Sequence, residues 1–188
     1  DDRTVLDIAE PLLVQAGAEL TIPAGTTLRF APGTGLTIED GALRSLGTAA
    51  APVHLTAQTE SGRGNWAGVT LTADAASSEL RHTWIRYGGL QLEGTNGPAL
   101  DHLRLVRNEP AGLALTAGAV AGLQNSFIAL NQTGLSVDGS STLSIAQSVI
   151  KNHELDNAAA ATGGSLNASQ NWWGFDNQME IDASVSGQ

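Results

Sequence analysis

Apolar and polar positions alternate along this chain in short bursts, and they almost never recur at helical spacing. Leu12-Leu13-Val14, Leu20-Thr21-Ile22, Leu28-Arg29-Phe30 and Leu36-Thr37-Ile38 follow one another about every eight residues. Turn signals close the bursts, as at Pro23-Ala24-Gly25, Pro32-Gly33 and Asp40-Gly41. An apolar–polar–apolar run bounded by Gly, Pro and Asp predicts a short strand, because successive side chains of a strand face opposite sides. The same grammar continues from Val53 to Leu55, Val69 to Leu71, Leu113 to Leu115 and Leu135 to Val137. Strands this short bury too little to stand alone, so many of them must share one core.

The repeats say which core. Gly17-Ala18-Glu19-Leu20-Thr21-Ile22 recurs sixteen residues later as Gly33-Thr34-Gly35-Leu36-Thr37-Ile38. From residue 80 a longer period takes over. Leu80, Leu100, Leu123 and Leu143 head four segments at spacings of 20, 23 and 20, followed by Ile85, Leu105, Ile128 and Ile150. Asn108, Asn131 and Asn152 close three of them. A unit of that length holding two or three short strands is one coil of a solenoid. Leucine-rich repeats need Leu at several fixed offsets around a buried Asn, and that register is not present. A parallel β-helix fits, with aliphatic columns inside and turn residues stacked at the corners. The three Asn are expected there, since Asn tolerates left-handed backbone and its amide can bond the next Asn in a ladder.

Composition narrows the function classes. The chain has 22 Gly in 188 residues, no Cys, and 9 basic against 19 acidic side chains, a net charge of −10. The absence of Cys excludes disulfides, thiolate nucleophiles and Cys-based zinc sites. The acidic excess argues against nucleic acid, which is bound through Lys and Arg. No apolar run approaches the length that spans a bilayer, so no membrane insertion is expected. The opening Asp1-Asp2-Arg3 carries no signal-peptide pattern, so the sequence reads as mature, excised or intracellular.

At this point the chain resembles a known group, the right-handed parallel β-helix proteins of the pectate-lyase-like superfamily, in particular bacterial secreted and surface members. The likeness is carried by the run from Leu20-Thr21-Ile22-Pro23-Ala24-Gly25 to Phe30, then Gly41-Ala42-Leu43, Gly47-Thr48 and Pro52-Val53-His54-Leu55-Thr56. Trp66-Ala67-Gly68-Val69, Trp84-Ile85-Arg86-Tyr87-Gly88-Gly89 and Asn171-Trp172-Trp173-Gly174 extend it to about residue 174. The resemblance implies the fold and no catalytic residues. Where such lyases carry Trp-Ile-Asp-His, this chain has Trp84-Ile85-Arg86-Tyr87, and their Arg-x-Pro-x-x-Arg element is missing. The Asn-Thr-Asp, Asp-Asp, Gly-His-Gly and Arg-Ile-Lys elements of polygalacturonases are missing too.

Reactive side chains are densest on two successive coils. Aligned at Leu80 and Leu100, these place Arg81 over Asp101, His82 over His102 and Trp84 over Arg104, about 4.8 Å apart. With Ile85 and Leu105 inward, alternation sends Trp84, Arg86, Arg104 and Val106 outward, and Phe127 extends that column. One reading is a sugar-binding face of Arg81, Trp84, Arg86, Arg104 and Phe127, where an aromatic ring stacks on a pyranose. A second is catalysis, with His82, His102, Tyr87 or Asp101 handling a proton. The plainer reading is structural: Arg81 and Asp101 as a cross-strand ion pair, and Trp84 over Arg104 as a cation–π contact.

No cofactor is expected. Calcium is the one ion whose oxygen chemistry the acidic residues approach, at Glu39 and Asp40 or at Asp176, Asn177, Glu180 and Asp182, but no calcium-loop spacing is present. The four His lack zinc spacing. An ice-binding column of Thr21, Thr27 and Thr37 is not continued in later coils. Asn131-Gln132-Thr133 and Asn167-Ala168-Ser169 match the glycosylation acceptor pattern. Trp172 and Trp173 are expected to cap the last coil, with Gly174 turning the chain and residues 175–188 folding over it. Thr4 to Ile8 forms the first strand, with no cap helix before it.

The sequence therefore predicts an all-β chain, a right-handed single-stranded parallel β-helix of about seven coils. It forms one domain over residues 1–188, with coils at about 4–170 and a cap at 171–188. The expected function is a non-catalytic secreted or cell-surface module for adhesion, spacing or glycan binding, with a glycan or cell-surface partner. The alternative is a polysaccharide lyase or glycoside hydrolase acting at the face of residues 81–107. The longest loops, about 57–65 and 72–78, are short, which counts against a deep cleft.

Overall fold

A computed structural model describes residues 4–175 and 177–187. The chain winds as a parallel β-solenoid of about eight turns. The first coil holds β1 (Val5–Ile8), β2 (Leu12–Val14) and β3 (Ala18–Pro23). The second has β4 (Thr27–Phe30) and the long β5 (Leu36–Leu46), and the third β6 (Val53–Ala57), β7 (Val69–Asp74) and β8 (Glu79–Arg81). Then come β9 (Thr83–Arg86), β10 (Leu90–Glu93) and β11 (Asn96–Asp101), followed by β12 (Arg104–Val106), β13 (Ala111–Thr116) and β14 (Val120–Gln124). The sixth coil is β15 (Phe127–Ala129), β16 (Thr133–Val137) and β17 (Thr142–Ala146), and the seventh β18 (Val149–Lys151), β19 (Ala158–Ala160) and β20 (Ser165–Asn167). A partial eighth turn carries α1 (Gln178–Ala183) and β21 (Val185–Ser186).

Three parallel faces result. Sheet A runs β1-β4-β6-β9-β12-β15-β18. Sheets B and C share β5, whose first half pairs with β2 and β7 and whose second half pairs with β3 and β8. Inside, Leu28, Leu55, Ile85, Leu105, Ile128 and Ile150 stack in one column of sheet A, each at most 5% exposed. Burial of such columns is the main stabilising term of the fold.

On sheet C, Leu80, Leu100, Leu123 and Ile145 form the matching column. The spacing of the leading Leu residues predicts Leu143 as the fourth member, but Leu143 aligns with Ala121. A slip of two residues keeps a strand's inward face inward, and Leu143 and Ile145 are both buried, so hydrophobicity alone did not separate them. The interval to sheet A does: Leu80 to Ile85, Leu100 to Leu105, Leu123 to Ile128 and Ile145 to Ile150 are all five residues. An odd interval between two inward residues needs one break in alternation. That break is a left-handed residue at the C-to-A corner, His82 (φ 45°), His102 (52°), Asn125 (52°) and Gln147 (52°) in turn.

The A-to-B corner repeats the device with Tyr87, Arg107, Leu130 and Asn152, all near φ 60°. The expected Asn ladder is present in altered form, because ladder and left-handed backbone fall on neighbouring residues. Asn108 and Asn131 are fully buried just after the corner. Asn108 Oδ1 accepts from the Gly88 N–H (3.1 Å) and its Nδ2 donates to the Ile85 carbonyl (3.1 Å). Asn131 repeats this with Asn108 N–H (2.8 Å) and the Leu105 carbonyl (3.0 Å). The third rung is His153, not Asn152: its Nδ1 accepts from the Asn131 N–H (3.3 Å), while Asn152 stands exposed in the left-handed position.

Close approach of these side chains requires glycine beneath them. A Cβ on Gly112 would lie 2.7 Å from Asn131 Nδ2, and one on Gly134 would lie 2.7 Å from His153 Nε2.

At the far end the two adjacent Trp part company. Trp172 bridges to Val149 and is 44% exposed, whereas Trp173 turns inward and joins the core at 8%. Successive residues of extended backbone face opposite sides, so a single plate of both rings was not available. Of the residues that approach calcium chemistry near the end of the chain, Asn177 caps α1: its Oδ1 accepts from the Glu180 N–H (3.0 Å) and its Nδ2 donates to Glu180 (2.8 Å). Asp176 lies outside the described residues.

Candidate functional site

The outer face of sheet A carries one continuous column of large side chains. Register places His54 beside Trp84, Trp84 beside Arg104, Arg104 beside Phe127, Phe127 beside Val149, and Val149 beside Trp172. The His54 and Trp84 rings sit 4.7 Å apart, tilted by 60°. Arg104 lies between two rings, its guanidinium carbon 4.8 Å from the centroids of both Trp84 and Phe127. Lys151 leans in from the adjacent column and lies 5.8 Å from Phe127 and 4.8 Å from Trp172. From Trp84 to Trp172 aromatic rings and cations thus alternate along the solenoid axis, with Lys151 of the adjacent column supplying the cation beside Val149. Trp84, Arg104 and Phe127 were legible as neighbours from the repeat. His54, Lys151 and Trp172 were missed. His54 falls where the period is irregular, and Trp172 lies in the segment expected to cap the last coil.

Charge is distributed unevenly around this column. Arg29, Arg44, Arg63, Arg81 and Arg86 each meet a carboxylate. Among the described residues, the cations with no carboxylate at ion-pair distance are Arg104, Arg107 and Lys151, on sheet A or its corner. Arg107 donates to the Tyr87 hydroxyl (3.1 Å).

Two of the expected binding residues are committed elsewhere. Arg81 and Asp101 are register partners, but Arg81 donates to Glu79 (2.7 Å) and lies on sheet C, around the corner from Trp84. The expected Arg81–Asp101 ion pair is replaced, because Glu79 shares the strand face with Arg81 while Asp101 turns to the corner donors. Arg86 does face outward but is held by Glu60 (2.8 Å). Val106, expected outward beside it, is buried at 8% between Arg86 and Ala129.

Glu60 belongs to a strap, residues 58–66, that crosses the A-to-B corner. Asn65 N–H donates to the Tyr87 carbonyl (2.8 Å), Arg63 Nε donates to the Leu130 carbonyl (3.1 Å), and Arg63 also pairs with Glu154. Trp66 anchors the strap inside, stacked on Phe30 at 4.3 Å with its Nε1 donating to the Arg86 carbonyl (2.7 Å). The loop expected to be merely short is thus a clamp across several coils.

The candidate catalytic residues do meet. His82 and His102 stack with centroids 4.4 Å apart, tilted by 36°. Asp101 lies 2.8 Å from His102 Nδ1 and accepts from Asn125 Nδ2 (2.9 Å). Burial works to raise the Asp101 carboxyl, but hydrogen bonds from Asn125 and His102 outweigh it and hold the carboxyl below its ordinary value. Burial, then the neighbouring His102, lowers His82. A depression of about 420 Å³ on sheet C includes Asp101, Gln124 and Ser144 in its lining. Both histidines are also rungs of the left-handed corner column that Asn125, Gln147 and Gln170 continue, which gives their stacking a backbone cause.

Among the described residues, no three His, Asp or Glu converge as a metal set. Thr21, Thr27 and Thr37 lie on sheets C, A and B respectively, so they form no common column. Of the two acceptor tripeptides, Asn131 is fully buried in the ladder and Asn167 is exposed on β20. Comparison of the chain with protein-family models, curated proteins and solved structures gives no match.

Proposed function

We propose that this chain is a non-catalytic β-solenoid module of the pectate-lyase-like type. In this reading it belongs to a secreted or cell-surface protein, where it serves as a rigid spacer and contacts glycan through the outer face of sheet A. The observation that carries the reading is the alternating column, because it collects uncompensated cations beside aromatic rings on a chain of net charge −10. The rings do not offer free faces throughout. Arg104 occupies a face of both Trp84 and Phe127, so a sugar would meet ring edges, guanidinium and ammonium N–H groups, and the outer side of Trp172. Such a surface favours glycans bearing carboxylate or sulfate, bound weakly and with salt dependence.

A second reading, a polysaccharide lyase, draws on the Asp101–His102 contact. An Asp on Nδ1 fixes the imidazole tautomer and leaves Nε2 as a base beside the sheet C depression. Among the described residues Asp101 is the one carboxylate in that lining, whereas a glycoside hydrolase uses two.

A glycan array spanning neutral and anionic polymers tests both. The spacer reading expects binding to anionic glycans that weakens with salt and falls by about tenfold in an Arg104→Ala, Lys151→Ala variant. Unchanged binding in that variant removes sheet A from the reading. Release of unsaturated uronate or new reducing ends, lost in His102→Ala, replaces the non-catalytic reading with the lyase.

A further inference from the structure

The strap of residues 58–66 presents a cation to the A-to-B corner. Arg63 stands at its tip between Gly62 (φ 82°) and Gly64 (φ 66°), two left-handed positions that glycine adopts without steric cost. Behind the tip the strap is closed on itself, since Asn65 Nδ2 donates to the Thr59 and Ser61 carbonyls (2.6 and 2.8 Å). At the tip lies a recess of about 380 Å³, lined by Gly62, Arg63, Arg107 and Leu130. Small-ligand sites span roughly 300–1,000 Å³, so the recess has room for a charged group.

Two guanidinium groups share this depression, and an anion between them relieves their repulsion. Each is oriented by a neutral oxygen. Arg107 Nη1 donates to the hydroxyl of Tyr87 (3.1 Å), a residue only 4% exposed, and Arg63 Nε donates to the Leu130 carbonyl (3.1 Å). Arg63 Nη1 reaches Glu154. These bonds leave Nε and Nη2 of Arg107, and Nη2 of Arg63, to meet a ligand. Guanidinium N–H pairs match the oxygens of carboxylate and sulfate two at a time.

The neighbouring carboxylates do not fill the recess. Glu60 is committed to Arg86 (2.8 Å) and to the Thr56 hydroxyl (3.0 Å). Glu109 lies against Gly64 and lines a different, smaller recess with Gly88 and Pro110. Glu154 touches Arg63 without joining the lining, and the two side chains are 54% and 33% exposed. An ion pair that open to water adds little stability, so a competing anion can displace it.

We propose that this recess is an anion subsite. It takes one carboxylate or sulfate group between Arg63 and Arg107, and that group displaces Glu154 from Arg63. Arg107 directly follows β12, whose first residue is Arg104, so the corner continues the cationic part of sheet A. The glycan meets Arg104 and Lys151 along the face and places a charged substituent at the corner. Only this choice of carrier rests on the glycan reading above; the pair of guanidiniums does not.

NMR of the arginine Nε–H resonances tests the subsite, with sodium sulfate, glucuronic acid and a sulfated disaccharide as probes at constant ionic strength. Saturable shifts are expected at Arg63 and Arg107, and none at Arg29, whose Nε and Nη2 already hold Asp7. Arg107→Gln should weaken each probe by about tenfold, and Arg107→Lys by nearly as much, because it keeps the charge and loses the fork. Glu154→Gln should strengthen binding by about threefold, whereas Glu93→Gln at the far end of β10 should not. Unchanged amide shifts in β10 to β18 verify that the variants are folded. If the Arg107 variants do not fold, the unaltered chain and Glu154→Gln decide. Shifts confined to Arg104 leave the glycan reading standing and overturn the subsite. Linear shifts shared by every arginine overturn it too. Saturable shifts at Arg63 and Arg107 that persist in the Arg104→Ala, Lys151→Ala variant support the subsite even where that variant has lost glycan. A sulfated disaccharide binding no better than sodium sulfate keeps the subsite and removes the glycan as its carrier.

Discussion

His153 shows how much one residue can reveal about the physics of this fold. It occupies a ladder position that Asn holds in the two preceding coils, and its ring imitates the amide by accepting a backbone N–H at Nδ1. That bond requires the neutral Nε2–H form, and burial lowers the imidazole to about 4. The groups around it are Arg63, whose charge opposes protonation, the Asn131 N–H and the Ile128 carbonyl. Because the folded value lies below the unfolded one, near 6.5, the unfolded chain binds the proton first as pH falls. The contribution is fully present above about pH 6.5 and is lost as pH drops towards about 4, on the order of 2–3 kcal/mol in all. Denaturant unfolding at a series of pH values should show this slope in the unaltered chain. His153→Asn should flatten it between those limits while keeping the ladder; an unchanged slope would place the titration elsewhere.

At the scale of elements, left-handed corners and outward columns do separate jobs. The corners convert an odd interval between inward residues into a continuous core, and their side chains stack as a consequence. His82 over His102 belongs to that pattern, so its proximity alone is no sign of chemistry. The sheet A column is different: register sets the order Trp84, Arg104, Phe127, but the seat of the guanidinium against both rings is the side chain's own. A double-mutant cycle on Trp84→Ala and Arg104→Ala should give a coupling of about 1 kcal/mol in chemical denaturation. A coupling near zero would mean that the guanidinium is held there by solvent and neighbours, and that its charge is freer to meet a ligand.

For the whole molecule, stability is a chain of nearest-neighbour contacts between coils. Damage at one end should therefore stay near that end. Trp173→Ala removes a mostly buried ring from the last turn and is expected to cost about 3 kcal/mol locally. Amide exchange should accelerate in β18 to β20 and remain unchanged in β4 to β9. Uniform acceleration along the rod would instead show that the coils unfold as one unit, with the strap of residues 58–66 and its Arg63–Glu154 pair as the natural cause of that coupling.

The sequence by itself determined the solenoid. Its repeated apolar triplets and near-constant coil length leave stacked parallel strands as the arrangement that buries every inward residue at once. It also determined that Trp84, Arg104 and Phe127 share a column, because register follows from equal intervals between inward residues. Only the tertiary structure decided which partner each charged side chain takes. Arg81 has Glu79 and Asp101 within reach, and hydrogen-bond geometry selects Glu79. Only the tertiary structure, likewise, turned residues 58–66 into a strap, sent Trp172 out and Trp173 in, and made His153 the third rung of the ladder. These choices depend on contacts between coils far apart in sequence or on a one-residue shift at a corner. The period of the chain fixes the rung of each residue, and it leaves open how the residues at its irregular points are used.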